Sequence, residues 1–164
     1  MPKVIFSHPA GYYSDSISLS FFSPMSGAQI RYTLNGDEPT LNSSLYSNPI
    51  KIINRTHTQN TISAIPTNPS FNYPKPGYDV TRADSRGWLA PYDTVYKGTV
   101  VKAKLFKTGY VSDSTVVATY LIKENATTIF SLPVLSISID SATLFSYNSG
   151  IYVYGIDSIH EGNY

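Results

Sequence analysis

From Lys3 to Lys123, apolar and polar side chains alternate in short runs. Ile17-Ser18-Leu19-Ser20-Phe21 alternates strictly, as does Ile30-Arg31-Tyr32-Thr33-Leu34. A period of two puts one set of side chains on each face, the pattern of a half-buried antiparallel strand. Further runs are Lys3 to Phe6, Pro49 to Ile53, Thr61 to Ile65, Thr99 to Phe106 and Thr115 to Ile122. Val101, Ala103 and Leu105 share one face of the longest. Turn chemistry separates the runs: Asn35-Gly36 accepts positive φ and ends the second, and Gly109-Tyr110 connects the last two. About seven short strands at this spacing predict an all-β antiparallel sandwich. Helical periodicity is nearly absent, because Pro and Gly interrupt most longer stretches.

Two stretches depart from the alternation. Pro66 to Tyr96 carries five prolines together with Phe71, Tyr73, Tyr78, Trp88, Tyr92 and Tyr96. An insert of this length without pattern inside a compact domain is commonly functional or partly disordered. The second is the polar linker over 124–132. Beyond it, Val134 to Ile139 and Ile151 to Tyr154 read as two new strands, the first expected to pair with the sandwich edge or with another copy of the chain. The organisation is therefore a sandwich over 1–123, a linker over 124–132 and a further β segment over 133–164.

Composition narrows the function. Among 164 residues, 14% are charged, the formal net charge is +1, and the 14 Tyr outnumber the 12 Lys plus Arg. So small a charge provides no electrostatic footprint for a phosphate backbone, which excludes nucleic acid as the expected partner. Without a run of about 18 apolar residues no membrane span is expected. Without Cys there is no disulfide, thiolate metal site or cysteine nucleophile. Disorder is disfavoured by the many aromatic and β-branched residues.

Chemistry-bearing motifs are sparse. His8, His57 and His160 stand in three distant contexts without ligand spacing, so no metal site and no cofactor is expected. Neither a Gly-x-Ser-x-Gly elbow nor a phosphate-binding glycine loop occurs. Most carboxylates sit at turns, where Asp is an ordinary residue. No catalytic residue is assigned, and the chain is expected not to be an enzyme. Thr33 to Thr40 reads as a turn held by its own side chains, with a cation at Asp37 and Glu38 as the alternative. Asn42-Ser43-Ser44, Asn54-Arg55-Thr56 and Asn125-Ala126-Thr127 fit the N-glycosylation triplet, which recurs by chance in a chain this rich in Ser, Thr and Asn.

The insert offers the candidate ligand-binding residues Trp88, Tyr73, Tyr78, Tyr92 and Tyr96. Their rings could present flat platforms to sugar rings of a polysaccharide. The competing reading folds Trp88, Tyr92 and Tyr96 back as a lid over the sandwich or against a neighbouring domain. A single Trp beside a Pro-rich loop serves more often as a plug than as a platform, which favours the second.

Pro9-Ala10-Gly11-Tyr12-Tyr13, Ile17 to Ser20, Ile30 to Thr40 and Leu45 to Ile50 resemble the chitobiase/β-hexosaminidase C-terminal domain type, and the likeness continues through Gly98 to Ala103, Gly109-Tyr110, Ser114 and Ala118 to Ile122. The resemblance implies an immunoglobulin-like, fibronectin-III-associated sandwich. Ser131 to Asp140, Leu144-Phe145 and Gly150 to Gly155 are similar to the opening strands of CotH-type proteins, atypical kinases named after a spore-coat protein. In that family a similar β module commonly precedes the CotH domain, so the resemblance implies a partner in an adjacent CotH-like domain of the parent chain. The resemblance implies that the family's nucleotide-binding and catalytic segments would lie beyond Tyr164, so none of its functional residues is carried over. Together the two resemblances imply a non-catalytic accessory module, a spacer or interdomain contact, in an extracellular or cell-surface protein; the alternative is a carbohydrate-binding module acting through 66–96. Met1-Pro2-Lys3 leads into a strand without the apolar core of a signal peptide.

Overall fold

The longest alternating run becomes the central strand of the main sheet. The computed structural model describes residues 2–65, 91, 93–111, 114–124 and 132–152. It places β8 (Thr99–Lys107) between β10 (Val116–Ile122) and β5 (Gln29–Thr33). Both pairings are antiparallel and set Ala103 opposite Val116 on one side and Tyr32 on the other. Beyond β5 lies β6 (Ser44–Leu45), and β9 (Tyr110–Val111) folds back on β8. The opposite edge is β2 (Gly11–Tyr13), which runs parallel to β10.

Two smaller sheets complete the sandwich: β3 (Ile17–Leu19) with β7 (Ile50–Ile52), and β1 (Ile5–Phe6) with β4 (Phe21–Phe22). Alternation decides which side chains go inside. Val101, Ala103 and Leu105 of β8 join Ala118, Tyr120 and Ile122 of β10, and Leu19 and Ile52 join them from the smaller sheet. All of these are buried, so the expected all-β architecture is realised with the predicted faces inward.

Tyrosine supplies much of this interior. Tyr120 is fully buried, and its phenol donates to the His8 carbonyl at 2.9 Å, which satisfies its polar end. Tyr13 does the same with Pro9 at 2.7 Å. Phe21 stacks obliquely on Phe6 at 4.7 Å and on Tyr46 at 4.8 Å, and meets Tyr32 edge-on at 5.7 Å. Burial pushes the Tyr13 and Tyr120 phenols up, Tyr120 far beyond the usual range, so both stay neutral donors.

Several expectations are corrected. Thr61 to Ile65, expected as a strand, forms a 3-10 turn over Ile62–Ala64. The Ala64 and Ile65 amides bond back to the Thr61 and Ile62 carbonyls, so no ladder forms there. Val134 to Ile139 forms no strand with any described residue. Beyond it, where helix was not expected, α1 (Ser141–Phe145) appears, its first turn capped by the Asp140 carboxylate on the Ala142 amide at 2.8 Å. Of the second C-terminal strand, Ile151 and Tyr152 are described; their amides bond to the Thr143 and Leu144 carbonyls and close a turn on α1. Alternation in these segments thus finds no neighbouring strand among the described residues.

The chain forms two units. The first, Met1–His57 with Tyr96–Ser138, holds the sandwich. The second, Thr58–Val95 with Ile139–Tyr164, contains the 3-10 turn, an Asn60 amide donating to the Asp93 carbonyl at 3.2 Å, and α1 with Phe145 edge-on to Tyr152 at 6.0 Å. Most of the insert, 66–90 and Tyr92, lies outside the described residues.

Candidate functional site

The face of the main sheet turned away from the core carries the polar half of each alternating strand. On β8 these positions are Val100, Lys102 and Lys104, on β5 Arg31 and Thr33, and on β10 Val117, Thr119 and Leu121. Lys102 stands opposite Thr33 and Val117, and Thr119 stands opposite Val100. The face is therefore a mixed surface, two threonines among three apolar side chains, with three cations near one end.

At that end the β5–β6 turn folds against the sheet. Gly36 adopts φ +88°, and Asn35 and Asp37 lock the reversal: the Asp37 amide donates to Asn35 Oδ1 at 3.2 Å, and Asn35 Nδ2 donates to Asp37 Oδ2 at 2.6 Å. Thr33 Oγ1 donates to the Asp37 carbonyl at 2.6 Å. This is the side-chain-held turn expected from Thr33 to Thr40. Glu38 faces protein cations: Lys104 Nζ donates to it at 3.3 Å, and the Thr115 hydroxyl donates to the same Oε1. Partial burial pushes the Glu38 carboxyl up, but the bonds from Thr115 and Lys104 and the charges of Lys104 and Lys102 outweigh it and hold it below the usual range. Arg31 ties the same corner together by donating to the Ser43 carbonyl at 3.0 Å and to Gln29 at 3.2 Å.

Over the middle of this face runs the strap Leu132 to Ser138. Ser136 and Thr119 share a hydrogen bond at 2.7 Å. Ser138 and Val100 both border Gly36: a Cβ there would meet the Ser138 oxygen and Val100 at 3.6 Å each, ordinary contact. The Ser138 hydroxyl is buried there without a hydrogen-bond partner.

At the opposite end lie Tyr12, about half exposed, and Tyr96, whose hydroxyl is buried. Burial first, and Tyr12 second, raise the Tyr96 phenol. Gly98 keeps this end tight, since a Cβ there would come within 2.7 Å of Leu121. Of the five candidate ligand-binding residues, Tyr96 is thus placed at the edge of the sandwich face. Trp88, Tyr73, Tyr78 and Tyr92 lie outside the described residues.

Sequence reasoning missed Lys102, Thr115, Thr119 and Ser136 as participants. The polar half of each alternating run was the signal for the first three. Nucleophilic chemistry has one nearby pair, Ser7 Oγ and His8 Nδ1 at 2.9 Å. The same Ser7 oxygen accepts the Ser20 amide at 2.9 Å, so it clamps β1 to β4. Among the described residues no three His, Cys, Asp or Glu side chains converge as metal ligands, and no helix is long and apolar enough to cross a membrane.

Residues 8–74 match the family model of the chitobiase/β-hexosaminidase C-terminal domain. That family is a non-catalytic, immunoglobulin-like module of glycosidases. No curated protein and no solved structure matches the chain.

Proposed function

We propose that this chain is a non-catalytic accessory module of a larger secreted or cell-surface protein of CotH type, in which the sandwich serves as spacer and as contact surface for an adjacent CotH-like domain. The match over residues 8–74 supports the accessory role. The observation that carries the contact role is the strap. The described segment Leu132 to Ser138 lies against the outer face of the sheet, held by Ser136 on Thr119. A segment seated on the sandwich in this way is anchored to it, which a free linker would not be.

The test is limited proteolysis and paired domain measurements on the longer parent protein. If the module is a fixed spacer, Ser136→Val combined with Thr119→Val should leave the sandwich folded while increasing cleavage within 124–140. Unchanged cleavage would remove the argument for a seated connection.

A carbohydrate-binding role is the second reading, favoured by Tyr12, half exposed beside Tyr96 on the same face. Retention on insoluble polysaccharide, abolished by Tyr12→Ala and Trp88→Ala, would establish it. No retention would leave the spacer reading in place.

A further inference from the structure

Asn35 precedes Gly36, the sole Asn-Gly step in the chain. Such a step carries its own chemistry. The Gly36 nitrogen attacks Asn35 Cγ, the new C–N bond closes a succinimide ring, and the side-chain nitrogen leaves as ammonia. Water then opens the ring to an aspartate or an isoaspartate. Glycine favours the attack because no Cβ stands beside the attacking nitrogen. Nothing is oxidised or reduced, and water is the only other reactant.

In the folded turn this reaction meets an obstacle made by one residue. Asn35 is exposed, so water reaches it, yet its side-chain amide is held at both ends by Asp37. Oδ1 accepts the Asp37 amide at 3.2 Å, and Nδ2 donates to Asp37 Oδ2 at 2.6 Å. Ring closure makes Cγ tetrahedral and expels Nδ2, so the amide has to leave the planar setting in which Asp37 holds it. The bond to Oδ2 has a charged acceptor and is the stronger of the two. It also pushes electron density into the amide, which makes Cγ a poorer target. Asp37 is itself fixed, since its carbonyl accepts Thr33 Oγ1 at 2.6 Å, and a backbone bridge joins Asn35 to Val100 of β8.

We propose that Asn35 is a site of spontaneous deamidation and that Asp37 keeps it closed in the folded chain. The conversion runs one way in structure as well as in chemistry. Once position 35 carries a carboxylate, an anionic acceptor replaces the donor opposite Asp37 Oδ2, and two carboxylates at hydrogen-bonding distance repel. The corner of the outer face where Gly36 borders Ser138 and Val100 then loses its lock. This chemistry is independent of the accessory role.

Peptide mapping by mass spectrometry on the whole folded chain, held at mildly alkaline pH, follows loss of the Asn35 amide, with released ammonia as a second readout. Asp37→Ala should speed conversion by about tenfold, which corresponds to about 1.4 kcal/mol, near the low end for a hydrogen bond to a charged group. Asp37→Asn, which keeps an acceptor and loses the charge, should fall between. Leu19→Ala weakens the core and leaves the turn intact, so it should convert at the native rate while circular dichroism reports it folded. Acceleration there as large as in Asp37→Ala would assign the protection to the fold as a whole and overturn the role of Asp37. Slower conversion in Asp37→Ala would make Asp37 a promoting base, and it overturns the proposal, as does an unchanged rate. So does an Asn35 that survives in denaturant, where the lock is gone. For the product, Asn35→Asp should lower the melting temperature. Adding Asp37→Asn restores a donor opposite the new carboxylate and should recover most of the loss; without that recovery the one-way step is overturned.

Discussion

Strand β8 and Leu135 to Ser138 of the strap carry the same period-two alternation, yet one lies at the centre of a sheet and the other pairs with nothing described. In β8, Val101, Ala103 and Leu105 are at most 1% exposed, whereas Leu135 and Ile137 stand almost fully in solvent. Their patterns do not distinguish them. The surroundings do: β8 has β5 and β10 at hydrogen-bonding distance on both sides, and the apolar row of β3 and β7 in front of it. Alternation specifies two faces and leaves the partner unspecified.

The sharpest way to break this comparison is to remove apolar bulk from each region. Leu19→Ala, in the layer that faces β8, should lower stability by about 2–5 kcal/mol, because the packed interior closes only partly over the cavity. Ile137→Ala in the strap should change the stability of the dilute chain hardly at all. Chemical denaturation of both variants with an unchanged m-value checks the contrast. Equal losses would mean that the strap belongs to the sandwich core.

A second probe asks what the tyrosines of the interior contribute. Tyr120→Phe keeps the ring and removes the hydroxyl that satisfies the His8 carbonyl. The expected cost is about 1–3 kcal/mol, the range for leaving a buried polar group unpaired. Tyr12→Phe, with its ring half exposed on the outer face, should cost almost nothing. A thermal melt distinguishes them, and a neutral Tyr120→Phe would mean that water takes over the carbonyl.

Most of the sandwich was legible because each long run buries one face. Ile17 to Leu19, Ile30 to Leu34, Thr99 to Phe106 and Thr115 to Ile122 all became strands or the greater part of one. The strands that went unread are short. Gly11–Tyr13, Ser44–Leu45 and Tyr110–Val111 have two or three residues each, too few to show a period, and they form because a longer neighbour offers an edge. Thr61 to Ile65 shows the converse, a legible alternation with no strand partner among the described residues, and its amides close a 3-10 turn. The turn at Asn35-Gly36 was readable because its chemistry is local. The contacts of Glu38 with Lys104 and Thr115 join residues far apart in sequence, and no local pattern announces them.

That turn supplies the next test of how strongly the strap rests on the sandwich. Gly36 sits at φ +88°, and a methyl there would find ordinary contact with Ser138 and Val100 at 3.6 Å. The strain is therefore in the backbone, and Gly36→Ala should cost about 1–2 kcal/mol. Gly36→Asn, which tolerates the left-handed region better, should cost less. If the two cost the same, crowding against Ser138 rather than φ sets the penalty.

The smallest expected effect belongs to Glu38, on the same outer face and half exposed, where salt and water weaken its pairing with Lys104. Its carboxyl titrates below the usual range in the folded chain, because the bonds and charges from Thr115, Lys104 and Lys102 outweigh its partial burial. A carboxyl lowered on folding favours the folded state above its unfolded pKa, and that contribution is lost as pH falls through the folded value. The difference in stability between the native chain and Glu38→Gln should thus be about 0.5 kcal/mol or less at neutral pH. It should fade in acid and shrink in molar salt. Glutamine still accepts from Thr115, so only the charge is tested. A difference that survives in acid would show that the charge is not what Glu38 contributes, and would make this corner of the outer face like the core in depending on geometry rather than on charge.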